Sequence, residues 1–214
     1  IALVNDETSP LTDIVDDVVP LRAGKEISVA ATKSYLATLS ALLHLVASWT
    51  NNQALLTSLK QLPELLQSII ESPCQLSPQS VEKTNNLVVL GRGLGYAIAK
   101  EMALKLKEVC SIHAEAFSSA EFLHGPITLV EKGLLVLDCL VLDESGDSHI
   151  AQVKEVTKRG AEVVHLHQNN LQAHPRLAPL LVLQRFYIDV ANISTYLGYN
   201  PDVPKGLNKV TETL

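Results

Sequence analysis

Apolar and polar positions along the chain fall into two kinds of run that take turns. "NLVVLG", "GLLVLDCLVLD" and "AEVVHLH" are short and almost unbroken in their apolar character, so they read as strands covered on both faces. "IALVND", ended by the turn-rich "DETSP", reads the same way. Between and around them lie longer runs with helical spacing. "VAATKSYLATLSALLHLVASW" is a long helix, and "QALLTSLKQLPELLQSIIE" is another, interrupted near Pro63. "YAIAKEMALKLKEVC", "SHIAQVKEVTKRG" and "RLAPLLVLQRFYIDVANISTYLG" complete the helices. Strand–helix alternation with apolar strands predicts an α/β fold whose parallel sheet is flanked by helices. "SPCQLSPQ" has the composition of a linker and suggests a division into residues 1–75 and 76–214. A weak internal repeat agrees: "IALVND" with its long apolar helix resembles "AEVVHLH" with the last helix.

Helical phase singles out one group of charges. At about 100° per residue, Ile98, Met102, Leu106 and Val109 form an apolar stripe, with Lys100 and Lys107 on the far side. Glu101, Lys105 and Glu108 fall beside the stripe, within ~60° of one another. Such a row is either an ordinary salt-bridged edge, with Glu101 and Lys105 in the favourable i, i+4 order, or the lining of a cleft. Just downstream, "AFSSAEFLHGP" sets Glu121 and His124 three residues apart and ends on Gly-Pro. The loop "GRGLG" between strand and helix could receive an anion, but the chain lacks the acidic residue that would complete a dinucleotide site. His165 and His167 share a strand face without nearby sequence partners for a metal, His113 reads as a satisfied buried polar group, and His44 as a core or interface histidine.

Composition narrows the partners. The 214 residues carry a net charge of −6 and 4% aromatics, without a Lys/Arg block, which disfavours a nucleic-acid surface. Cys74, Cys110 and Cys139 are few, odd in number and widely spaced, pointing to a reducing cytoplasm rather than a disulfide framework. The apolar stretch from Val29 to Trp49 is interrupted by Thr32, Lys33, Ser34, His44 and Ser48, so no membrane span is expected.

"GKEISVAATKSYLATLSALL", "LGRGLGYAIAKEMALKLKEVCSIHAEAFSSAEFLHGP" and "LNKVTETL" together resemble the sugar isomerase (SIS) family. Within it they are similar to the isomerase half of glucosamine-6-phosphate synthases and to stand-alone aminosugar-phosphate deaminases. The resemblance implies tandem SIS modules, each a parallel sheet flanked by helices, and no cofactor or metal. It makes Glu108 the carboxylate that moves a proton between C2 and C1, with Lys105 close by. His124 would assist ring opening, reaching into a neighbouring subunit of a homodimer, and Lys209 would engage the sugar carbonyl. Val29, Ala30, Thr32 and Lys33 would line the pocket for a phosphorylated amino sugar. These residue types suit that chemistry, because a proton shuttle needs one carboxylate beside both carbons, and imidazole exchanges protons near neutrality. A lysine can form a Schiff base or stabilise charge.

One departure stands out. The family's Ser/Thr-rich phosphate loop has no counterpart here, and "ESGDS" (Glu144 to Ser148) is acidic and lies in the second module. With the abrupt start at Ile1, this suggests a truncated first module. The leading expectation is conversion of glucosamine 6-phosphate to fructose 6-phosphate and ammonia. The alternatives are the isomerase half of a glutamine-dependent aminotransferase, and a sugar-phosphate sensor without turnover.

Overall fold

A computed structural model of the chain describes residues 1–169 and 171–210. The N-terminal part, residues 1–81, contains β1 (Ala2–Val4) and β2 (Val18–Pro20), then α1 (Lys33–Trp49), α2 (Gln53–Lys60), α3 (Leu62–Ile70) and the short α4 (Pro78–Val81). The remainder runs β3 (Asn86–Gly91), α5 (Leu94–Cys110), β4 (His113–Ser118), α6 (Ser119–Phe122), β5 (Leu135–Cys139), α7 (Gly146–Lys158), β6 (Glu162–Leu166) and α8 (Ala178–Tyr196). β1 and β2 pair in parallel as a small sheet, and the other four strands form a parallel sheet in the order β4–β3–β5–β6. The α/β expectation therefore holds.

Side-chain alternation along β3 explains why its sequence is apolar throughout. Leu87 and Val89 face α5 and α8, while Val88 and Leu90 face Phe122 of α6 and Val153 and Val156 of α7. β5 divides likewise, Leu135 and Leu137 to one side and Val136 to the other. Pro63, second residue of α3, separates it from α2 as expected of a residue without an N–H.

Several segments differ from the sequence reading: β2 has no counterpart in it, and residues 29–32 form the loop before α1 rather than its first turn. His113–Ser118 is a strand that the apolar pattern does not reveal, because it is an edge strand whose polar Glu115 faces outward. The proline-rich "SPCQLSPQ" is docked rather than loose: the amides of Gln75 and Leu76 donate to Asp189 Oδ2 at 3.0 and 3.1 Å. Asp189 is buried and held by Arg185, whose guanidinium also donates to the Ser72 carbonyl at 2.9 Å. The segment's composition is that of a linker, yet its backbone amides solvate a buried ion pair. No helix among the described residues is long and apolar enough to cross a membrane.

Candidate active site

The charged row on α5 is not a solvated edge. Helix α8 covers it, leaving Glu101 7% and Lys105 3% exposed. A buried ammonium needs compensation, and two carboxylates supply it: Lys105 Nζ lies 3.1 Å from Glu101 Oε1 and 2.7 Å from Glu108 Oε2. The Tyr187 hydroxyl, from α8, donates to the same Glu101 oxygen at 2.8 Å. Burial pushes the Glu101 carboxyl above its ordinary range, and the Lys105 charge and the Tyr187 hydrogen bond oppose that rise. Glu108, half-buried, is the outer member of the row.

Lys105 and Tyr187 open onto a cavity of about 330 Å³, also lined by Ala30 and Thr32 from the loop before α1 and by Asp202 from the segment after α8. That loop is built by Glu26, whose carboxylate accepts from the Thr32 amide at 2.8 Å and from the Ser34 amide and hydroxyl, capping α1. Burial works against the charge, yet the hydrogen bonds from Ser34 and Thr32 and the nearby Lys209 hold the Glu26 carboxyl below its usual range. The C-terminal segment crosses the loop. Ser28 Oγ donates to Asp202 Oδ1 at 2.5 Å, the Val29 amide to the Asp202 carbonyl at 3.0 Å, and Lys209 Nζ to the Ser28 carbonyl at 2.7 Å.

The fold thus brings Ala30, Thr32 and Lys105 to one cavity, joins Glu108 to it through Lys105 rather than through the cavity lining, and lays Lys209 across its loop. Val29 takes part through its backbone, whereas Lys33 is exposed with Nζ on the Lys25 carbonyl. His124 is exposed and does not line this cavity. The last four residues of "LNKVTETL" lie outside the described residues. Tyr187, Glu26 and Asp202 escaped sequence reading. Only Tyr187 left a signal, a hydroxyl in the middle of an otherwise core-facing helix, which requires a partner when buried. Larger cavities lie beyond β5 and β6 (about 440 Å³) and between β2 and α1 (about 470 Å³), but neither joins a carboxylate to an ammonium.

The glycine loop is closed from within. Asp143 Oδ2 accepts from the Leu94 amide at 2.8 Å, at the N-terminus of α5, and Oδ1 accepts from the Ser145 amide and hydroxyl. Gly93 has φ 54°, and a Cβ there would collide with Asp143 Oδ2, so the carboxylate occupies the anion position and glycine makes room for it. Burial disfavours this carboxylate's charge, but those donors, with Arg176 nearby, hold its carboxyl below the usual range.

A second polar cluster sits at the ends of β4 and β5. His149 joins Asp138 Oδ1 through Nε2 at 2.6 Å and Ser119 Oγ through Nδ1 at 2.9 Å. Asp138 Oδ2 holds His165 Nδ1 at 2.7 Å, so a carboxylate does stand beside that histidine, supplied by the neighbouring strand. His113 is exposed rather than buried, which corrects that expectation; His44 is exposed on α1, which removes the core alternative and keeps the interface one.

Residues 80–194 match the family model for the SIS domain. The chain is 31% identical to the isomerizing glutamine–fructose-6-phosphate aminotransferase of Thermus thermophilus, over 98% of this chain and 39% of that protein. It therefore spans well under half the length of this curated relative. A Silicibacter pomeroyi structure assigned as a phosphosugar isomerase superposes with a TM-score of 0.85 at 32% identity, covering 94% of this chain and 64% of that one. Glucosamine-6-phosphate deaminase from Thermotoga maritima superposes with a TM-score of 0.75 over 97% of this chain and 65% of its own; at 23% identity this likeness speaks for the fold alone.

Proposed function

This chain belongs to the SIS-domain family, and from that premise we propose that it moves a proton between C1 and C2 of a phosphorylated amino sugar, with Glu108 as the base. The observation that carries the reading is the Lys105–Glu108 pair at 2.7 Å, its ammonium on the wall of a cavity crossed by the Lys209-bearing tail. In the open-chain aldehyde, Glu108 takes the C2 proton to give an enolamine and returns it to C1, leaving an imine at C2. Water adds to that imine and ammonia leaves, so glucosamine 6-phosphate becomes fructose 6-phosphate. Lys105 has three N–H donors, two of them committed to carboxylates, and the third can meet charge that develops on the sugar oxygen. Lys209 engages the carbonyl, by Schiff base or by charge. Ala30, Thr32, Val29 and Lys33 belong to the sugar pocket.

In the same proposal His124 opens the ring of the sugar held by a second subunit, which fits its exposure and its place outside this chain's own cavity. The homodimer this requires has support in α1, where Leu42, Val46 and the 82% exposed Trp49 lie uncovered. The division at residues 75 and 76 into two SIS modules is likewise proposed, and the separation of the strands into two sheets supports it. A cytoplasmic setting is supported by three free thiols, that of Cys110 pushed up to about 12 by burial.

A second reading, the isomerase half of a glutamine-dependent aminotransferase, draws on the aminotransferase likeness along 98% of the chain. One assay separates the readings. Ammonia and fructose 6-phosphate formed from glucosamine 6-phosphate by the full-length protein support the deaminase. Synthesis of glucosamine 6-phosphate that depends on glutamine supports the aminotransferase, and binding without interconversion would overturn both.

A further inference from the structure

Tyr187 hydrogen-bonds to Glu101, and Glu101 to Lys105, so the three form a chain that ends on the Glu108 carboxylate. We propose that Tyr187 is a positioning residue that sets the Lys105–Glu108 pair through Glu101. The proposal rests on the proton-transfer reading above.

The geometry is asymmetric in an informative way. Both donors, the Lys105 ammonium at 3.1 Å and the Tyr187 hydroxyl at 2.8 Å, converge on the single oxygen Glu101 Oε1. Glu101 is almost wholly buried, and a carboxylate there keeps its charge only while donors face it. Were it to become neutral, Lys105 would lose its inner partner and be held by Glu108 alone. Its ammonium would then move toward the carboxylate that has to act as a base, and the spare donor would leave the cavity. Tyr187 thus guards the charge that keeps Lys105 between two carboxylates.

The phenol is suited to that role. Burial, and then the Glu101 charge, push Tyr187 far above its ordinary value, so it stays a donor wherever the enzyme could work. Its ring is fixed in α8 and buried against the cavity wall, and Phe186 lies beside it at a centroid distance of 6.4 Å. The groups facing Glu101 are Lys105 and Glu108 from α5, Tyr187 from α8 and Tyr35 from α1; Glu26, from the loop before α1, acts on the Tyr187 phenol. Of these only Lys105 and Tyr187 stabilise the Glu101 charge, so losing the hydroxyl leaves a single support.

Tyr187→Phe in the full-length protein tests this, because it removes one oxygen and keeps the ring. Losing a donor to the charged form raises the pH at which Glu101 takes up a proton, so the acid limb of the kcat profile moves to higher pH. The expected result is kcat about tenfold lower near neutrality, KM within about twofold, and an acid limb displaced by roughly one pH unit. In a Glu101→Gln background the same change should cost nothing further, and additive losses would overturn the proposal. So would an unchanged acid limb, or a raised KM with kcat intact, which would make Tyr187 pocket wall only. Should Tyr187→Phe fail to fold, Glu101→Gln alone decides: the acid limb must move from its parental position, and an unchanged limb sinks the idea. Glu108→Gln is the control for the underlying reading. If that variant keeps full activity, the proton-transfer reading fails. If it is inactive while Tyr187→Phe behaves as the parent, only the present proposal fails.

Discussion

Two buried polar clusters in this molecule have the composition of catalytic machinery, and they differ in what they leave unspent. At the ends of β4 and β5, Ser119, His149 and Asp138 stand in the hydrogen-bonding order of a nucleophilic triad. The Arg92 guanidinium donates to Gln152 Oε1 at 3.2 Å, and Ser119 Oγ shares that acceptor at 2.5 Å. A guanidinium only donates, so Gln152 presents its oxygen and Ser119 has to give it its one proton. His149 is engaged through both nitrogens and Asp138 through both oxygens. Ser119 is 0% exposed. Each polar side-chain atom of Ser119, His149 and Asp138 is engaged within the fold, which makes this cluster a brace joining α6 and α7 to the sheet.

On the other face of the sheet, Lys105 spends two donors on Glu101 and Glu108, and its side chain lines a cavity. One cluster is closed by its own hydrogen bonds and the other retains a donor facing open space. Resemblance to a known catalytic arrangement is therefore a poorer guide here than the count of uncommitted donors.

Substitutions can separate the two clusters, and Lys105→Met should do so most strongly. It leaves Glu101 and Glu108 facing each other in a buried site. It should abolish turnover and destabilise the protein by about 3–5 kcal/mol, the range for removing one partner of a buried pair. Urea denaturation and steady-state rates check both. Asp138→Asn should cost about 2–4 kcal/mol through the histidines it holds, yet leave the rate per folded molecule within about threefold. A rate loss as large as that of Lys105→Met would show that the brace takes part in chemistry.

Ser119→Ala is milder, costing about 1–2 kcal/mol with turnover intact. A loss of turnover from this substitution would revive the triad. Asp143→Asn gives the smallest change, about 1 kcal/mol, because the carboxylate caps α5. Its sign with pH is determined by its depressed folded-state value. The contribution is present above the ordinary carboxylate range and is lost as pH falls below it through the depressed folded-state value. Denaturation of parent and variant should therefore converge in acid, and a constant gap down to low pH would contradict the assignment.

Much of the fold was legible because apolar runs such as "NLVVLG" and "GLLVLD" sit on strands covered from both sides, and glycines or prolines mark their ends. β4 was not, since an edge strand with outward Glu115 has no comparable run, and β2 has only three residues. The stretch around Gln75 misled by composition: its amides are used by Asp189, more than a hundred residues away. The site shows the same boundary. Helical phase placed Glu101, Lys105 and Glu108 on one edge, but could not choose between a solvated edge and a cleft lining. That choice depends on α8, which brings Tyr187 onto Glu101 from 86 positions away. His149, four residues from Ser145 in an acidic stretch, gave no sign of its burial, because its partners come from β5 and the start of α6.

In the proposed reaction Glu108 carries a proton between C1 and C2 of the sugar, and isotope exchange reads that step without depending on ammonia. The full-length protein and its Glu108→Gln variant are each incubated with glucosamine 6-phosphate in D₂O, and deuterium at C2 of the recovered substrate and at C1 of the fructose 6-phosphate formed is followed by NMR alongside binding of the sugar phosphate. Exchange by the parent is expected, with a loss on the order of 10²–10⁴ in the variant and binding retained. Exchange at the parental rate in Glu108→Gln would contradict the assignment of Glu108 as the base.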